Sequence, residues 1–78
     1  MLLSQIKIGQ KAIVVGFDKD PDFDLNHVLN HGIYEGAEIL LCHVSPLGKD
    51  PIALEVNGSK LAIRKSLAEK IKIKLVVK

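Results

Sequence analysis

Asn57-Gly58 sits between two segments of strict alternation, and no other feature of the chain constrains its fold as tightly. An Asn-Gly pair readily takes the positive φ values that a two-residue hairpin needs. On either side Ile52, Leu54, Val56, Leu61 and Ile63 are apolar, while Glu55, Lys60 and Arg64 are charged. A side-chain period of two puts the first set on one face and the second on the other. This predicts antiparallel strands over 52–56 and 60–64, with the register set by the turn.

The rest of the chain is punctuated in the same way. Residues 71–76 alternate, with Ile71, Ile73 and Leu75 inward and Lys72 and Lys74 outward. Residues 12–17 (AIVVGF) are apolar and β-branched, as in a buried strand, and Gly36 opens a further strand over 37–44. Cys42 in that strand is expected in the core, since free cysteine is usually buried. Residues 2–8 are mixed and end in a Gly9-Gln10 turn, 18–24 form a polar loop, and 45–51 carry Pro46, Gly48 and Pro51.

A short helix is predicted over 23–31. Leu25, Val28 and Leu29 share one face, Asp22 or Asp24 caps its start, and Gly32 stands where a left-handed end is expected. Ser66 to Glu69 reads as a capping box that begins a turn or two of helix before the last strand. The fold class is therefore mainly β: a small barrel of about five strands, with one short helix after the first strand and a helical turn before the last. Closure of so short a sheet removes its edges.

Size and charge bound the function. The chain has 78 residues, read as one domain over 1–78, with little interior to spare for a deep catalytic cleft. A hydrophobic fraction of 47% and a charged fraction of 26% are those of a folded globule. The net charge of +2 does not imply nucleic acid. Nor do the aromatics, because Phe17, Phe23 and Tyr34 do not alternate with Lys or Arg as stacking platforms do. One cysteine forms no intrachain disulfide and fits a reducing compartment. No signal peptide and no run of roughly 18 apolar residues is visible, so the expected location is the cytoplasm.

The chemistry-bearing residues are few. Asp18, Asp20, Asp22 and Asp24 alternate like the start of a calcium loop, but Phe23 stands where glycine is needed and Leu29 where the bidentate glutamate is needed. A solvated loop that caps the helix accounts for them. His27 and His31 lie four apart, and with Asp24 they offer one carboxylate and two imidazoles to a divalent metal such as zinc or iron. That makes a weak site, and no cofactor is required. Cys42 and His43 are adjacent on a strand and point to opposite faces, so they make no nucleophile–base pair. Ser4, Ser45, Ser59 and Ser66 sit at turns or caps, and no glycine-rich phosphate loop occurs. The chain is read as a non-enzyme.

Several segments, taken in order, resemble the FeoA family, ferrous iron transport protein A. Residues Gly32 to Ala37 (GIYEGA) are similar to its glycine-framed turn after the helix. Residues Ser45 to Pro51 (SPLGKDP) are similar to the loop between its middle strands. Gly58, Leu61 to Arg64 (LAIR) and Ala68 to Ile71 (AEKI) are similar to its C-terminal half. The resemblance covers nearly the whole chain with matching spacing. It departs in the helix, where Asn26, His27 and His31 stand in places that commonly hold Arg or Leu, and at Glu35, where Pro is frequent.

The resemblance implies an SH3-like barrel and a cytoplasmic accessory or regulatory role in bacterial ferrous iron uptake. The implied partner is the cytoplasmic part of a FeoB-type GTP-binding Fe2+ permease, with the membrane reached only through that transporter. The same barrel recurs in metal-dependent repressors, so the alternative is a stand-alone transition-metal sensor or carrier. The partner-binding candidates are Tyr34 in the turn after the helix, Leu47 at the tip of the proline-framed loop, and Lys60 and Arg64 in a loose basic face with Lys65, Lys72 and Lys74. Edge strands also offer a route to a homo-oligomer.

Overall fold

Alternating apolar residues set the strands and turn chemistry sets their joints. The structure, a computed structural model, describes residues 1–18, 25–46 and 50–76, with the side chains of Leu25 and His27 left out. A 3-10 turn, Leu3–Gln5, is followed by β1 (Lys11–Phe17), α1 (Leu25–Asn30), β2 (Glu38–Val44), β3 (Ile52–Val56), β4 (Ser59–Ile63), α2 (Lys65–Ala68) and β5 (Ile71–Leu75). All five strands pair antiparallel in one sheet of order β4-β3-β2-β1-β5.

The predicted hairpin is present. Val56 pairs with Ser59 and Ile52 with Ile63, around Asn57 at φ 50° and Gly58 at φ 88°. Positive φ at both turn residues is the geometry that matches the right-handed strand twist. Among the described residues, the buried side chains are all apolar and come from the N-terminal turn, both helices and all five strands. Leu3, Val14, Val28, Ile33, Ile39, Leu54 and Ile71 are the largest of those fully enclosed.

The sheet does not close on itself. The expected closure is replaced by two unequal edges. Along β5 the N-terminal segment adds a partial strand, because Leu2 bridges Lys72 and the Ile73 N–H donates to the Met1 carbonyl at 2.8 Å. Leu3 and Ile6 then drop into the core, which fixes that segment in place. The mixed residues 2–8 thus act as a structural plug rather than a loose end.

Two bulges bend the central strands. The β1–β5 register shifts between Val14 and Gly16, and the β2–β3 register shifts between Leu41 and His43. The extra residue in each case, Val15 and Cys42, is exposed. An added residue breaks the two-residue alternation and re-aims the side chains beyond it. This corrects the expectation that Cys42 is a core residue, since Cys42 and His43 both face solvent.

The helix reading is corrected in part. The helix covers Leu25–Asn30, and the predicted start at 23–24 with its Asp22 or Asp24 cap lies outside the described residues. Val28 is fully buried, but Leu29 is 45% exposed, because a single short turn inserts only one narrow stripe into the core. The end of α1 matches expectation. The Ile33 N–H donates to the Val28 carbonyl and the Gly32 N–H to the Leu29 carbonyl, each at 3.0 Å, with Gly32 at φ 83°. These are the two bonds of a Schellman cap, and its usual apolar contact is supplied by Val28 and Ile33, both at zero exposure.

Candidate partner-binding surface

Asn57 organises one end of the sheet. Its φ of 50° completes the hairpin, and its side chain then reaches two neighbours. The Glu38 N–H donates to Asn57 Oδ1 at 3.1 Å, and the Asn57 N–H donates to the Glu38 carbonyl at 2.9 Å. Asn57 Nδ2 donates to the Tyr34 hydroxyl oxygen at 2.7 Å. The β3–β4 turn is thereby tied both to the start of β2 and to the turn after α1.

Tyr34 begins that second turn. The Ala37 N–H donates to the Tyr34 carbonyl at 3.0 Å, and Gly36 at φ 95° occupies the third position. The Gly36 N–H and the Ala37 carbonyl bond to the Val14 carbonyl and N–H at 2.8 and 3.0 Å, which ties the turn to β1. The Tyr34 ring is 46% exposed while its hydroxyl is held by Asn57. A ring with a fixed orientation and an open face loses little side-chain entropy when a partner covers it.

Lys60 and Arg64 stand at opposite ends of β4. Lys60 lies across from Glu55 and is exposed, and the hairpin places it three residues from Asn57. Arg64 has left the strand and is the N-cap residue of α2, with φ −72° and ψ 146°. The two are about 13 Å apart by the rise of an extended chain. Among the described residues the ion pairs are Lys11–Glu38 at 3.6 Å and Lys70–Asp18 at 3.8 Å, so neither Lys60 nor Arg64 is neutralised by one. Lys72 and Lys74 sit on β5, at the other edge of the sheet, and the strand order does not join them to Lys60.

The capping box predicted at Ser66 is absent. Helix α2 begins at Lys65, and its first N–H donates to Asp50 Oδ1 at 3.0 Å. Asp50 comes from the loop before β3, so the cap is tertiary and no local spacing signals it. Ser66 lies inside the helix and is exposed.

The other candidates are less fully placed. Leu47 and Asp24 lie outside the described residues, as do Asp20, Asp22 and Phe23, and the side chain of His27 is not described. His31 is exposed just beyond the last residue of α1. Among the described residues no group of three His, Cys, Asp or Glu is placed to hold a metal.

A further feature escaped the sequence reading. A largely apolar cleft of about 370 Å³ runs between the N-terminal turn and the β2–β3 end, with Leu3, Ile6, Ile8, Val44 and Ile52 in its walls and Lys7 and Lys65 beside them. Ile8 is 58% exposed there. The signal available in sequence was the apolar trio Leu3, Ile6 and Ile8 in a segment too irregular for a strand.

This fold occurs in known proteins. A FeoA-like protein of Clostridium acetobutylicum is 31% identical, with a TM-score of 0.87, over 100% of this chain and 88% of that one. The FeoA protein of Chlorobium tepidum is 30% identical, with a TM-score of 0.86, over 99% of this chain and 71% of that one. A zinc-complexed FeoA of Stenotrophomonas maltophilia, described as a prokaryotic SH3-domain protein, shares the fold at 22% identity, with a TM-score of 0.79 over 95% of this chain and 89% of that one. A search of curated proteins gave no match to this chain. The FeoA domain family model matches residues 1–75, which takes in the hairpin, both glycine turns and the N-terminal plug, and the chain belongs to the FeoA family.

Proposed function

We propose that this protein is a non-enzymatic accessory or regulatory protein of ferrous iron uptake, acting in the cytoplasm by docking on the cytoplasmic part of a FeoB-type GTP-binding Fe2+ permease. The observation that carries this reading is the family match across 1–75 on an SH3-like five-stranded sheet. The surface we assign is the Tyr34 turn, the Leu47 loop tip and the basic pair Lys60 and Arg64. Tyr34 supports the assignment because its ring is held in one orientation with an open face. Lys60 and Arg64 support it because exposed cations without an ion partner among the described residues steer an acidic domain into register. Membrane contact comes only through the transporter; among the described residues no helix is long and apolar enough to cross a bilayer.

The test is a pull-down of the purified chain with the cytoplasmic domain of the permease, with and without guanine nucleotide. Capture is expected, with marked loss for Leu47→Asp and for Tyr34→Ala and weaker, salt-dependent loss for Lys60→Glu. No capture in any nucleotide state would remove the reading. A second reading, metal carriage by Asp24, His27 and His31, draws on the sequence spacing of the two histidines, with His27 inside α1 and His31 just beyond its last residue. Calorimetry with zinc or ferrous iron decides it: heat that is abolished by His31→Ala supports carriage, and no heat at micromolar metal removes it.

A further inference from the structure

We propose that the outer edge of β4 is a strand-addition site for an extended acidic segment of a partner protein. This deepens the docking reading, because Lys60 and Arg64 belong to that surface, and it adds the mode of binding and the chemistry of the occupant.

The hairpin register dictates which backbone groups are available. Around a two-residue turn the flanking pair exchanges both hydrogen bonds, and bonded pairs then recur at every second position. Val56–Ser59, Leu54–Leu61 and Ile52–Ile63 are therefore the bonded pairs. The N–H and C=O groups of Lys60 and Ala62 point away from β3. β4 ends the sheet, and among the described residues no backbone group pairs with Lys60 or Ala62 on that side. The opposite edge is partly covered, because the Ile73 N–H is taken by the Met1 carbonyl and Leu2 bridges Lys72. Among the described residues, the chain thus partly covers one edge and leaves the other for pairing.

The surroundings of this edge define what would pair with it. A cleft of about 280 Å³ lies alongside, lined by His31, Ala62, Ile63, Arg64, Ser66 and Leu67. Ile63 is 5% exposed and Leu67 packs against the core, so the floor is apolar. An added strand would send every second side chain down onto that floor and the others outward beside Lys60, Ala62 and Arg64. The outward row is cationic. Among the described residues, Glu55 lies opposite Lys60 and the Asp50 carboxylate accepts the Lys65 N–H. The matching segment therefore alternates carboxylates with small apolar residues.

A second copy of the chain is disfavoured as the occupant. Antiparallel pairing of two β4 edges would bring Lys60 and Arg64 of one copy against the same cations of the other, and like charges across a strand pair are destabilising. Lysine on an edge also deters indiscriminate pairing while leaving it open to an acidic strand.

The test uses the full chain labelled with 15N and a capped hexapeptide alternating glutamate and valine, with a lysine–valine hexapeptide as control. The glutamate peptide is expected to move the Lys60 and Ala62 amides and to slow their hydrogen exchange by about tenfold or more near saturation, as for newly made ladder bonds. Ala62→Pro removes the outward N–H at an edge position that tolerates proline and should abolish binding. The double variant K60E/R64E leaves the backbone intact and should weaken binding by about tenfold or more. If Ala62→Pro does not fold, the double variant carries the test. The proposal is overturned if the Lys60 and Ala62 amides stay unmoved at millimolar peptide, if the lysine peptide binds equally well, if K60E/R64E binds as the parent does, or if these amides shift with protein concentration alone, which would mean self-pairing. No transporter is present in this experiment. Its failure leaves docking through Tyr34 and Leu47 standing, and a failed pull-down leaves the edge site standing.

Discussion

At the scale of single residues, Asn57 does three jobs. It takes a φ of 50° in the turn, bonds Glu38 through its side chain and its backbone, and holds the Tyr34 hydroxyl. Asparagine tolerates the left-handed region better than alanine, and each hydrogen bond has a modest net worth. Asn57→Ala should destabilise the fold by about 2–3 kcal/mol in urea denaturation, from the turn strain and the lost bonds together. Tyr34→Phe removes one bond and should cost about 1 kcal/mol or less. It should keep the docking that Tyr34→Ala loses, because the exposed ring remains. Cys42 behaves in the opposite way to a core thiol. As the exposed extra residue of a bulge it should react with a thiol reagent in the native protein nearly as fast as in urea. Cys42→Ser should change stability by no more than about 0.5 kcal/mol.

At the scale of elements, the informative case is α2. Its four residues cannot sustain a helix alone, and its first N–H is satisfied from a distant loop by Asp50 at 3.0 Å. Asp50→Ala should cost about 1 kcal/mol, as caps typically do, while Ser66→Ala should be near neutral. Equal effects, or a larger one at Ser66, would restore the local capping box. The helix also sets the geometry of the candidate surface, since its cap residue is Arg64 and the strand before it carries Lys60. For α1 the end was readable because Gly32 is the chemical requirement of a left-handed cap. Its apolar face was overread, because Leu29 falls past the narrow stripe that a short helix buries.

At the scale of the whole molecule, stability rests on one apolar core with no buried polar side chain among the described residues. Leu3 is 1% exposed although it lies in an irregular segment, and it pins the N-terminal plug over the β5 edge. Leu3→Ala should therefore cost about 2–5 kcal/mol by denaturant melting. It should also release the Ile73 amide to fast hydrogen exchange, since that N–H bonds Met1. A loss under about 1 kcal/mol would mean that the segment is not part of the core. The two surface ion pairs contribute little by comparison, being half exposed and screened.

The features that the sequence determined by itself are local. Asn57-Gly58 set the hairpin, alternation set the faces of β3, β4 and β5, and Gly32 ended α1, because each of these depends on φ preferences and on a side-chain period that a short window contains. The ordered motifs also carried the family, and with it the SH3-like fold. Tertiary structure alone decided the features that couple distant positions. The bulges that expose Val15 and Cys42 arise from mismatched registers between strands, though Gly16 inside a strand was a hint of the first. The Asp50 cap, the Asn57–Tyr34 bond and the plug along β5 each join residues far apart in the chain. No periodicity encodes such contacts, since they form only once the core has brought those residues within hydrogen-bond reach.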